Sequence, residues 1–271
     1  MLYVRNLNLL QHILPARETV KSGGSMDIKN KVVLITGGSE GIGKATAQLL
    51  ASHGARVAVA ARSIDKLREL VSNFSDGLAV EADMTQPESI NRMIETVVEQ
   101  YGRINILINN AGRALRAPIV DIKISDFEDI MKLNVYGPLL TMQAVIPHMK
   151  KNGGGMIVNI SSNVSKMAIP TIGAYAATKY ALNGLTLTAR NELAEDNIVV
   201  SLMHPGLTAT NFGKNALQYE TAESNRPPGP DARPDTPEQV AEKILEAINT
   251  GPAEQYMSPA MANRFSLPTD Q

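Results

Sequence analysis

Residues 32–36 read Val-Val-Leu-Ile-Thr, apolar at every position but the last, and similar short runs recur at 56–61, 78–81, 104–108, 156–160 and 198–203. A strand with one wet face alternates apolar and polar residues, whereas a strand covered on both faces is apolar nearly throughout. Stretches with helical spacing separate these runs, at 42–53, 64–74, 87–101, 125–150 and 175–195, the long one broken near 134–138. Strands and helices in regular alternation imply parallel strands joined by crossover helices. The expected fold is therefore α/β, a doubly wound, Rossmann-like parallel sheet in one domain. A helix at 238–249 and a short strand at 254–257 complete it.

The chain divides unevenly around this pattern. Residues 1–25 read as an N-terminal extension: 7–16 is moderately apolar, Asn8, Gln11, His12 and Pro15 interrupt it, and the flexible linker 22–25 follows. A plain extension is the preferred reading, with a targeting segment or a weak membrane-facing helix as alternatives. The domain is expected to span 26–260, with 261–271 as a tail. Within it, 207–236 is expected to form a mobile substrate lid: 210–219 suits a short helix, and 225–237 holds five prolines. No run reaches the roughly 18 apolar residues of a membrane span, and a cytoplasmic location is expected.

Composition removes several chemistries. The 26 Lys and Arg are scattered and the net charge is -1, so no concentrated basic face is available for nucleic acid. Cysteine is absent, which excludes disulfides and thiolate nucleophiles. His12, His53, His148 and His204 never fall at metal-ligand spacing, so no metal site is expected.

Two local patterns carry chemistry. The first is the turn from Thr36 to Gly43, in which Gly37, Gly41 and Gly43 stand at G-x-x-x-G-x-G spacing between a strand and a helix. Glycines there admit a pyrophosphate to the backbone, and the helix N-terminus offers unpaired N–H groups to it. The second is Tyr175 and Lys179, which share a helix face at four-residue separation. An ammonium beside a phenol is expected to lower the phenol's pKa from about 10, and a phenol so tuned can exchange a proton with a carbonyl or alcohol oxygen.

Together with further motifs, these resemble the short-chain dehydrogenase/reductase family over residues 30–210. Gly37, Ser39, Gly41, Ile42 and Gly43 match its cofactor loop. Asp83 and Met84 resemble its contact to adenine. Asn110, Ala111 and Gly112 match the motif after the fourth strand, and Asn134 matches the catalytic asparagine. Ser162, thirteen residues before Tyr175, matches the catalytic serine. Pro205 and Gly206 match the nicotinamide-side turn, with Thr210 placed for the carboxamide; the role of Thr208 stays open, and His204 reads as structural.

The resemblance implies that Tyr175 exchanges the proton and that Ser162 bonds the same substrate oxygen. It implies that Lys179 tunes Tyr175 and reaches the ribose, while Asn134 holds a relay water. Strand two ends at Ala61-Arg62 without a carboxylate, so Arg62 is read as a clamp for a 2′-phosphate and NADP(H) is expected over NAD(H). Glu40 departs from that pattern, since many NADP-preferring relatives carry a basic residue there.

The expected activity is reduction of a carbonyl compound, or the reverse oxidation. Val164, Met167, Ala168, Ile169 and Ile172 suggest an apolar, medium-sized substrate. The alternative, a catalytically silent NADP(H)-binding regulator, should lack Tyr175, Lys179 or Ser162. Small and apolar residues on the helices near Asn134 and Tyr175 predict a homodimer.

Overall fold

A computed structural model of the chain describes residues 27–219 and 233–265. The expected extension 1–25 and part of the expected lid lie outside them. Strands β1 (Val32–Thr36), β2 (Arg56–Ala61), β3 (Gly77–Glu81) and β4 (Ile106–Asn109) alternate with helices α1 (Gly41–Ser52), α2 (Ile64–Val71) and α3 (Pro87–Tyr101). A two-residue strand β5 (Leu115–Arg116) precedes α4 (Ile124–Met131) and α5 (Gly137–Lys151). Then come β6 (Gly155–Ile160), α6 (Gly173–Glu192), β7 (Ile198–His204), β8 (Leu217–Gln218), α7 (Pro237–Thr250), β9 (Glu254–Tyr256) and α8 (Pro259–Phe265).

The main sheet has seven strands in the order β3-β2-β1-β4-β6-β7-β9, every pair parallel. The strand order reverses between β1 and β4, and in such sheets ligands lie beyond the carboxyl ends at that point. All five residues of β1 are buried. Leu34 packs on one face with Ile90, Val97, Met142 and Ile157, which draws in α3 and α5. Val33 and Ile35 pack on the other with Leu50, Val57 and Ile244, which draws in α1 and α7. Each such side chain contributes about 1.5–3 kcal/mol by leaving water. The uniformly apolar strands thus follow from two filled layers.

Helix ends follow local chemistry. Thr236 and Gln239 form a reciprocal capping box at the start of α7, with Pro237 in its first turn. Gly102 ends α3 in the left-handed conformation at φ 75.

The differences from expectation are local. The break expected near 134–138 is a π-helical segment, Lys132–Tyr136, that joins α4 to α5 without interrupting the rod. Residues 210–219 form turns and β8 instead of a short helix, because β8 pairs in parallel with β5. The boundary expected at 260 falls inside α8.

Candidate active site

The glycine loop sits at the switch point, between β1 and α1. Gly37 and Gly41 have φ of 66 and 54. A Cβ on Gly43 would stand 2.4 Å from the Gly37 carbonyl oxygen, and one on Gly37 would stand 2.8 Å from the Ala111 Cα. Side chains are therefore excluded where the loop meets the strand beside it. Thr36 Oγ1 accepts from the backbone N–H groups of Asn110 and Ala111, each at 3.1 Å. Asn110 Nδ2 donates to the carbonyls of Thr36 and Gly37, both at 3.0 Å. The Asn110 side chain thus braces the loop from within. No acidic residue lies in the first turn of α1, whose N-terminus favours an anion. Ile42 packs against the core with its side chain, and Ser39 is half-buried in the loop.

Arg62 directly follows β2 and is exposed. With Thr85, Gln86, Arg113, Lys132 and Leu217 it lines a cavity of about 280 Å³. A cavity of about 310 Å³ lies elsewhere, between α1 and α7, lined by Gln48, Leu49, Glu238 and Ala241, away from these strand ends. Asp83 is engaged locally: its Oδ1 accepts from the Thr85 N–H at 2.8 Å and the Thr85 hydroxyl at 2.7 Å. Met84 has its side chain in the core.

The second group of residues gathers one turn further along. Asn134 is fully buried in the π-helical segment. Its Oδ1 accepts from the Arg113 N–H at 2.9 Å, and its Nδ2 donates to the Arg113 carbonyl at 2.8 Å and to Thr178 Oγ1 at 3.0 Å. Widening of a helix by one residue often marks a functional position, and here it brings the Asn134 amide to the strand-four loop. A Cβ on Gly112 would lie 3.3 Å from Asn134 Oδ1 and 3.7 Å from Lys179 Nζ, so Gly112 lets these two approach the same point.

Tyr175 and Lys179 both point inward from α6 and are buried. Lys179 Nζ lies 5.8 Å from the Tyr175 ring centroid and donates to the Ile160 carbonyl at 2.9 Å. Burial pushes the Lys179 ammonium down to about 8. Burial also raises the Tyr175 phenol well above its ordinary value, and a hydrogen bond with Ser162 acts in the opposite direction. The direction is opposite to the expected lowering by Lys179: desolvation of the phenol dominates, and the ammonium is turned to the Ile160 carbonyl. Ser162 lies two residues beyond β6, at the start of a 3-10 turn, and its Oγ accepts from the Val164 N–H at 3.3 Å.

The β7 end closes the third side. The Pro205 carbonyl accepts from the Asn163 N–H at 3.0 Å, which ties the turn after β7 to the turn after β6. Thr208 Oγ1 donates to the Gly206 carbonyl at 3.2 Å, and Thr208 pairs with Asp235 as an isolated bridge. Thr210 lies over the glycine loop, where a Cβ on Gly41 would meet its methyl at 3.1 Å. The Phe212 ring stands 5.7 Å from that of Tyr175.

A family profile described as short chain dehydrogenase matches residues 31–221. The chain belongs to the short-chain dehydrogenases. It is 38% identical over 227 residues to a 3-oxoacyl-[acyl-carrier-protein] reductase of Thermotoga maritima, covering 81% of this chain and 91% of that one. It is 33% identical over 231 residues to dehydrogenase/reductase SDR family member 7B of Xenopus tropicalis, covering 82% and 75%. Among solved structures, a short-chain dehydrogenase from Streptomyces avermitilis aligns with TM-score 0.78 and 32% identity, over 87% of this chain and 90% of that one. The 3-ketoacyl-(acyl-carrier-protein) reductase of Brucella melitensis, complexed with NADH, aligns with TM-score 0.74 and 26% identity, over 87% and 93%.

This short-chain dehydrogenase is thus an oxidoreductase that uses NAD(P)(H). The glycine cradle fits a dinucleotide, since Gly37 and Gly41 turn the backbone through positive φ at an α1 N-terminus that carries no acidic residue in its first turn. Among the described residues, no group of three or more His, Cys, Asp or Glu could hold a metal, and no helix is long and apolar enough to cross a membrane.

The structure also gives two residues bonding roles that the sequence did not indicate. Thr36 is one, and its signal was a hydroxyl at the end of an otherwise apolar strand. Glu40 is another: it accepts from Asn215 Nδ2 at 2.8 Å and Asn211 Nδ2 at 3.5 Å, which fastens the post-β7 segment to the cofactor loop. No local pattern announces a bond between residues so far apart in sequence.

Proposed function

We propose that the protein reduces a carbonyl compound to an alcohol with NADPH. The observation that carries the reading is the buried Tyr175, hydrogen-bonded with Ser162 and held in its protonated form by burial, at the carboxyl edge of the sheet. A nicotinamide cofactor, when bound, supplies the hydride. Tyr175 donates its proton to the substrate oxygen as negative charge grows there. Ser162 donates a hydrogen bond to the same oxygen and stabilises that charge. Lys179 holds positive charge behind Tyr175 and would reach the cofactor ribose. Asn134, fixed by the Arg113 backbone and Thr178, orients the route by which Tyr175 is reprotonated.

Arg62 would clamp the 2′-phosphate of NADPH, and no carboxylate stands at the end of β2 to bond a free 2′-hydroxyl. Gly37, Ser39, Gly41, Ile42, Gly43, Ala111 and Gly112 line the cofactor path, with Asp83 and Met84 toward adenine and Pro205, Gly206, Thr208 and Thr210 toward nicotinamide. The substrate is an apolar, medium-sized carbonyl compound, and the protein works as a homodimer.

The test is a panel of ketones, aldehydes, quinones and 3-oxoacyl compounds read by loss of NADPH absorbance. At least one should turn over, and Tyr175→Phe should abolish that turnover while NADPH still binds. The ring survives in that variant and only the transferable proton is lost. Near-normal turnover by Tyr175→Phe would overturn the reading.

A further inference from the structure

The polar groups behind Ser162 form a buried chain that the mechanism above does not use. The His204 ring is fully buried at the end of β7 and stacks on Tyr256, centroids 4.7 Å apart and planes 10° apart. An imidazole in that position is costly unless its nitrogens are satisfied. On one side Nε2 lies 3.1 Å from Glu254 Oε1. A carboxylate only accepts, so Nε2 carries a proton.

On the other side Nδ1 faces the Ser162 carbonyl at 3.4 Å and Ser165 Oγ at 3.5 Å. The carbonyl also only accepts. The Ser165 hydroxyl donates to that same carbonyl at 2.6 Å and accepts from Asn183 Nδ2 at 2.9 Å. With its proton so placed, Ser165 has none to offer Nδ1. The ring thus stands between the Glu254 carboxylate and the backbone of Ser162.

Glu254 grips the same turn a second time. Its Oε1 receives Lys166 Nζ at 2.9 Å, and Lys166 lies four residues beyond Ser162. The Tyr256 hydroxyl donates to Glu254 Oε2 at 3.2 Å. The His204 hydrogen bond is the main cause that holds the Glu254 carboxyl down to about 2, against the effect of burial. The flanks are tied as well: the Ser161 N–H donates to the Met203 carbonyl at 2.8 Å. One carboxylate on β9 thus fixes the Ser162 turn through His204 and Lys166, side chains from different elements.

We infer that His204, gripped by Glu254, is a positioning residue that sets the Ser162 hydroxyl against Tyr175 and the substrate oxygen. The inference rests on the reading of Ser162 and Tyr175 as the reacting pair. It acts through geometry: tenths of an ångström at a hydrogen-bond donor decide how much charge it stabilises in the transition state. It also reaches Tyr175, because a displaced Ser162 gives up the hydrogen bond that opposes the rise of the phenol.

The experiment compares His204→Phe, which keeps a ring against Tyr256 and donates nothing, with His204→Gln, which keeps a donor, and with Glu254→Gln. On a substrate that the unmodified protein reduces, His204→Phe should lower kcat by on the order of ten-fold while the Kd for NADPH stays unchanged. In the alcohol-oxidation direction its rising pH limb should move to higher pH, and His204→Gln should recover part of both effects. Should His204→Phe not fold, Glu254→Gln must show the same split between kcat and Kd. Unchanged kcat and pH limb would overturn the inference, as would a parallel loss of NADPH binding and kcat, which marks mere structural damage. Either result leaves the catalytic reading standing, because that reading falls only if Tyr175→Phe retains turnover.

Discussion

Arg62 stands where β2 leaves the sheet, exposed and with Thr85 and Gln86 across the cavity. A guanidinium meets a phosphate with two parallel N–H donors, and such charge-assisted bonds contribute about 1.5–3 kcal/mol. Arg62→Ala should therefore remove roughly ten- to a hundred-fold of NADPH affinity and leave NADH binding nearly unchanged. Fluorescence titration of both cofactors checks this, and equal affinities in the unmodified protein would defeat the assignment. The Glu40 carboxylate, which departs from the NADP pattern in the sequence, is turned to Asn215 and Asn211.

Tyr175 allows a second prediction at this scale. Its phenol is raised by burial, so it is protonated at neutral pH and ready to donate. Alcohol oxidation needs the reverse, a phenolate that accepts, and that fraction grows as pH rises toward the raised pKa. The oxidation rate should climb steadily through the alkaline range while carbonyl reduction does not. An oxidation rate that levels off near neutral pH would show that the phenol is not raised. Ser162 and Asn134 came in through the family resemblance, whereas the shared inward face of Tyr175 and Lys179 was legible in the sequence because their spacing is local. The direction of the phenol shift was not, because desolvation depends on how α6 is covered.

Among the elements, the buried strands were the most legible. Two-sided burial leaves uniformly apolar runs, and β1 is buried at every residue. The pairing of β5 with β8 was invisible, since two-residue strands carry no period and meet across about a hundred positions of sequence. The π-helical segment read only as a break, because an extra residue in a turn disturbs spacing just as a true interruption does.

The same long-range ties fasten residues 207–219 at several points. Arg113 Nε donates to the Asn215 carbonyl at 3.2 Å, and the Tyr219 hydroxyl donates to Asp126. Only the Glu40 bonds join this segment to the cofactor loop itself. Glu40→Ala should release that hold and speed cofactor departure by a few-fold, as expected for loss of about 1 kcal/mol. Stopped-flow displacement of NADPH measures it. A release rate equal to that of the unmodified protein would mean the tie does not restrain the cofactor.

For the whole molecule, the proposed homodimer rests on the outer faces of α5 and α6. The π-helical segment ends in Tyr136, 51% exposed, and Tyr180 on α6 is 52% exposed. Ala177 and Gly184 are exposed on the same side of α6 as Tyr180, and a Cβ on Gly184 would meet nothing within 4 Å. Leu140 and Ala144 are only partly covered on α5. Tyrosines, small residues and half-covered aliphatics, with few charges among them, suit such a surface to burial against a second copy, as the proposed dimer requires. A two-fold axis between the paired helices would bring each Tyr180 toward the partner's small residues. Light scattering at micromolar concentration should give the mass of a dimer, and Gly184→Arg should shift it toward the monomer. The substitution adds a long charged side chain where the single chain has open space, so the fold should be unaffected and NADPH should still bind. A monomer in the unmodified protein would refute the dimer, and a tetramer would require a second interface elsewhere.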